Sequence, residues 1–110
     1  MARSTARVAT DRPGRYAKQL AAHMGRKVPA EWSEETGRGT LAFGAGRAEL
    51  TAEDGALLLA VEGAEEDLPQ LEDVVGRHLV RFGTRDELVV AWQRDSGEAG
   101  TVQRLTGEDG

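Results

Sequence analysis

Helical spacing of apolar residues marks two segments of this chain, and short alternating runs mark most of the remainder. At 100° per residue, Tyr16, Ala17, Leu20 and Met24 share one face of a first helix, with His23 at its rim. Thr10 or Asp11 can cap that helix, Pro13 suits its first turn, and Gly25 or Pro29 ends it. In a second helix, Leu68, Leu71, Val75, Leu79 and Phe82 form a continuous stripe. Asp67 and Gln70 resemble a capping box there, Pro69 lies in the first turn, and Gly83 sits where a C-terminal cap belongs.

Strands fill the intervals. Residues 4–9 form a short β-prone run before the first helix, and Leu88 to Trp92 forms another after the second. Between the helices, residues 28–33, 40–43, 47–51 and 56–62 read as a meander, turned by glycines and most tightly by Asp54-Gly55. The predicted order is β-α-β-β-β-β-α-β. That pattern implies an α+β, two-layer fold: a mostly antiparallel sheet with both helices on one face. Residues 1–94 are expected to form one domain. Residues 95–110, rich in Gly, Ser and acids with only Val102 and Leu105 to bury, are expected to be a disordered tail.

Alternation within the strands adds a corollary. Leu57, Leu59 and Val61 point to one face, while Leu58 and Ala60 point to the other. With helices on one face only, Ala42, Leu58, Ala60, Val89 and Ala91 would line the other as a mild apolar surface. A symmetric homodimer through that open face is the simplest partner arrangement.

Composition narrows the chemistry. The 110 residues carry a net charge of −5, and their arginines are scattered among acids, which argues against nucleic acid. No apolar run approaches the length of a membrane span, and no secretory signal is evident, so a cytoplasmic protein is expected. The absence of cysteine excludes disulfides and thiol chemistry. No metal-ligand spacing, phosphate-binding loop or nucleophile elbow is present, so no cofactor or metal is expected.

Two histidines remain. His78 falls between Val74 and Leu71 in angle, within the apolar stripe, where an imidazole is either a satisfied core residue or a ligand and proton carrier. If the two helices lie side by side, His23 approaches it. The acids Glu65, Glu66, Asp67, Glu72 and Asp73 match no calcium loop, and three of them suit a helix N-terminus.

Ser4-Thr5-Ala6-Arg7-Val8-Ala9-Thr10, Tyr16-x-Lys18-Gln19-Leu20-x-x-His23, Leu71-Glu72-Asp73-Val74-Val75-x-x-His78-Leu79-x-Arg81-Phe82 and Val90-x-Trp92 resemble the bacterial domain of unknown function family 2218. The family's second histidine near the end of the first helix is replaced by Arg26, which weakens a metal site on that helix. The resemblance implies no activity. It does imply proximity to siderophore-interacting flavin reductases, and hence an accessory binding module in iron–siderophore metabolism. The candidate ligand-binding residues are His78, His23, Tyr16 and Trp92. The alternatives are a small acid–base enzyme using His78 and a structural or regulatory homodimer.

Overall fold

The structure is a computed structural model that describes residues 2–82 and 87–104. Its elements in chain order are β1 (Ala2–Ala9), α1 (Pro13–Met24), β2 (Ala30–Ser33), β3 (Arg38–Phe43), β4 (Gly46–Glu53) and β5 (Ala56–Gly63). A single 3-10 turn (Glu65–Asp67) then leads into α2 (Leu68–Phe82), β6 (Val89–Arg94) and β7 (Ala99–Arg104). All strands join one antiparallel sheet in the order β2-β3-β4-β5-β1-β6-β7.

The α+β architecture is as the sequence implies. From β1, α1 carries the chain to the far edge of the sheet, and the meander β2 to β5 brings it back beside β1. There α2 crosses over and delivers β6 to the other flank of β1. Such crossovers put helices where they can cover a sheet face. Tyr16, Leu20 and Met24 of α1 and Leu68, Leu71, Val75 and Leu79 of α2 interlock with Val8, Leu41, Leu50, Leu57, Leu59, Val61 and Val90 in one core.

The boundaries have local causes. Pro13 opens α1, where its missing N–H leaves no bond unmade. No side chain caps the Arg12 position; instead Thr10 Oγ1 accepts the Arg12 N–H at 3.1 Å just before it. Asp54-Gly55 is the two-residue loop between β4 and β5. The expected cap at Gly83 lies outside the described residues.

The tail needs a correction. Residues 99–104 are not disordered but form β7, paired with β6 through Val89↔Arg104, Val90↔Gln103 and Ala91↔Val102, with a bulge between Ala91 and Gln93. The order therefore gains a seventh strand. Its inward residues are Thr101 and Gln103 rather than apolar side chains, so it shows no hydrophobic alternation. Leu105 and the residues after it lie outside the described residues.

Candidate functional site

The two histidines do meet. His23 in the last turn of α1 and His78 on α2 have ring centroids 5.2 Å apart, and Phe82 closes edge-on against His23 at 5.4 Å. His78 Nδ1 lies 2.7 Å from the Val74 carbonyl oxygen. A carbonyl only accepts, so Nδ1 carries the hydrogen and Nε2 is left for a ligand or a proton. Burial, then His78 and the cations Arg26, Lys27 and Arg81, lower the pKa of His23. This surrounding charge is unfavourable to a bound cation. Among the described residues, no group of three or more His, Asp or Glu is placed to hold a metal.

His78 is half-buried at the rim of α2, not inside the core. The buried face of that helix comprises Leu68, Leu71, Glu72, Val75, Gly76, Leu79 and Val80. Including Glu72, Gly76 and Val80 turns its centre by roughly 40° away from His78. Tyr16 and Trp92 are buried core residues. The structure thus pairs two of the four candidate residues and seats the other two in the interior.

Sequence reasoning missed Glu72. Its carboxylate is fully buried and accepts both Arg94 Nε and Nη2 at 3.1 Å. The Thr101 N–H and Oγ1 add bonds of 3.0 and 2.9 Å. The network continues through Gln103, whose Nε2 donates to Thr101 Oγ1 at 2.8 Å and whose Oε1 accepts Trp92 Nε1 at 2.6 Å. Burial pushes the Glu72 carboxyl up, but hydrogen bonds from Arg94, Ser4 and Thr101 outweigh it and hold the pKa below the usual range. Centred on a fully buried carboxylate and largely shielded from solvent, this network fastens α2 to β6 and β7. Two glycines make room for it. A Cβ on Gly76 would overlap Gln103 Oε1, and one on Gly100 would lie 2.6 Å from Glu72 Oε2 and 2.8 Å from Trp92 Cβ.

The uncovered sheet face is the third candidate. Ala42, Val89 and Ala91 are exposed on it, Leu58 is half-buried, and Ala60 is covered by its neighbours. The expected apolar surface is interleaved with charge. Arg3 and Arg47 both bond the Glu62 carboxylate, at 2.6 and 3.0 Å, and both reach Glu49. Arg3, then Arg47, hold the Glu62 carboxyl below its usual range against the effect of burial. Sheet twist leaves a groove of about 540 Å³ on this face, with Leu58, Ala60 and Ala91 in its apolar lining and Thr5, Thr51, Gln93, Arg7 and the paired Arg3 and Glu49 in its polar lining. Neither histidine touches it.

Residues 5–93 match the model of a family described as an uncharacterised protein conserved in bacteria, DUF2218. The chain belongs to that family. Among solved structures, the NMR structure of PA4090 from Pseudomonas aeruginosa is similar. It shares 35% sequence identity and a TM-score of 0.70, with 84% of this chain and 96% of that one covered. No curated protein matches the chain significantly. The likeness extends over the α+β arrangement described above, and neither comparison names an activity.

Proposed function

We propose that this protein is a non-catalytic binding module whose working surface is the uncovered face of the sheet. The observation that carries this reading is the groove of about 540 Å³ on that face, a size typical of small-molecule sites. An antiparallel sheet open to water is usually polar throughout, whereas this one keeps Leu58, Ala60 and Ala91 in a concave lining. The helix-covered face offers less. In the His23–His78 pair, His78 Nδ1 is occupied by a main-chain carbonyl, and among the described residues no carboxylate bonds the other ring nitrogens. A general base needs a positioned substrate as well as a suitable imidazole.

The setting proposed for the module is the bacterial cytoplasm, as an accessory to iron–siderophore metabolism. What supports this setting is the family resemblance in the helix-two block. A thermal-shift screen against ferric siderophores, iron(III), flavins, divalent metals and small organic acids tests the binding reading. A ligand of the native state at about 100 times its Kd adds roughly 2.7 kcal/mol of stability. An upward shift that an Ala91→Glu variant loses supports the groove. A flat response across the panel counts against it.

A second reading, a homodimer through the same face, is favoured by Val89 and Val102, which are 44% and 51% exposed towards its β7 side. Light scattering after gel filtration separates the two readings. A monomer at high concentration removes the dimer.

A further inference from the structure

The groove on the uncovered face is electrostatically one-sided. At one end, Arg3, Glu62, Arg47 and Glu49 close on one another in four ion pairs between 2.6 and 3.4 Å, leaving no net demand for a counter-ion. At the other end stands Arg7. It is exposed on β1, and it has no hydrogen bond or ion pair from its side chain among the described residues. Its register partner on β5 is Leu58, which in turn faces Thr51 on β4. The guanidinium therefore overhangs an apolar and hydroxyl-bearing floor rather than a carboxylate.

We propose that this groove binds a small amphipathic organic acid, with Arg7 receiving the carboxylate. The inference rests on the uncovered face being the binding surface, and it adds the chemical class of the ligand. A guanidinium presents a planar fork that matches a carboxylate with two parallel hydrogen bonds. Leu58 and the two small alanines Ala60 and Ala91 form an apolar bed for a ring system or a compact aliphatic body. Thr5, Thr51 and Gln93 supply donors and acceptors around it for hydroxyl or carbonyl substituents. The volume suits a drug-sized or smaller molecule. With Arg3 paired to Glu62 and Glu49, Arg7 is the lining cation left without an ion pair among the described residues, and one such cation away from a helix N-terminus matches one negative charge better than a phosphate dianion. General attraction of anions is not the source, because the chain as a whole carries −5.

The test uses the whole chain, labelled with 15N, and two probes of nearly equal shape: sodium 2-naphthoate and neutral 2-naphthamide. Each is titrated at constant ionic strength. The expected result is displacement of the Arg7 Nε–H, Thr51 and Gln93 resonances, with the acid binding about tenfold tighter than the amide or better. Arg7→Gln should abolish that difference and leave the weak amide binding unchanged. Arg104→Gln, on an exposed β7 residue outside the groove, should preserve the difference. Because Arg7 has no side-chain partner among the described residues, Arg7→Gln should keep the wild-type dispersion of its spectrum. Equal binding of acid and amide in the groove, or loss of both in Arg7→Gln, overturns the organic-acid assignment while the binding surface stands. No displacement of groove resonances by either probe removes the surface as well.

Discussion

Replacing Glu72 by alanine removes the acceptor that the Arg94 guanidinium and the Thr101 amide and hydroxyl all use. The carboxylate is completely buried, and the Arg94 side chain is only 19% exposed. Deleting one partner of such a pair strands the other, which costs about 3–5 kcal/mol. In a domain of this length each kcal/mol moves the melting temperature by roughly 4–8 °C, so Glu72→Ala should lower it by at least about 12 °C. The single variant alone does not separate charge from packing; a double-mutant cycle does. With Glu72→Met, Arg94→Met and the double variant followed by urea denaturation, the coupling should reach about 2 kcal/mol or more. The double variant should be more stable than the sum of the singles implies, because an apolar pair strands no charge. The exposed Lys18–Glu34 pair, 63% and 69% accessible, is the internal comparison and should couple by less than about 1 kcal/mol. Additivity at Glu72 and Arg94 within about 0.5 kcal/mol would falsify the network as the fastening of α2 to β6 and β7.

Three further outcomes are expected. Gly100→Ala should destabilise the fold by about 2 kcal/mol or more, read by urea denaturation, since its Cβ meets both Glu72 Oε2 and the stiff Trp92 Cβ. A wild-type midpoint would show that β7 shifts freely. Because its pKa is lower in the folded state, His23 binds fewer protons there than in the unfolded chain as pH falls through about 6.5. Its contribution is therefore present above that pH and lost below it, so a His23→Gln variant should lose less stability than the wild type between pH 7.5 and 5.5. Equal losses would remove His23 as the cause. Glu72 has the same sign in a lower window: its depressed pKa gives stability that persists above about 4.3 and fades as acid protonates the folded carboxyl. Glu72→Gln should therefore show a flatter acid limb than the wild type when melting is followed from pH 6 to 3.

Much of the fold was legible because its core obeys simple periods. Leu57, Leu59 and Val61 against Leu58 and Ala60 gave the two faces of β5, and Tyr16, Leu20 and Met24 gave the buried side of α1. Two features escaped for one shared reason. Glu72 is polar and so falls outside the apolar stripe of α2, although its spacing of four from Leu68 and three from Val75 makes it their neighbour on the helix surface. β7 carries no hydrophobic strand signal because Thr101 and Gln103, its inward residues, are polar too. Each is buried because of the other, and a hydrophobic pattern registers neither half of a satisfied polar network. The same omission displaced the apparent centre of the stripe towards His78 and gave that histidine more prominence than its half-buried position supports. Arg7 was equally invisible: an arginine in a strand reads as a solvated position until its neighbours' ion pairs are known to exclude it.

The claim that the uncovered sheet face, and not the histidine pair, is the working surface has one direct test. A small-molecule fragment mixture that includes organic acids and ferric siderophores is titrated into the 15N-labelled protein, and every displaced resonance is mapped onto the structure. Displacements gathered at Arg7, Thr51, Leu58, Ala91 and Gln93 are the expected result. Displacements gathered at His23, His78 and Phe82 would contradict it.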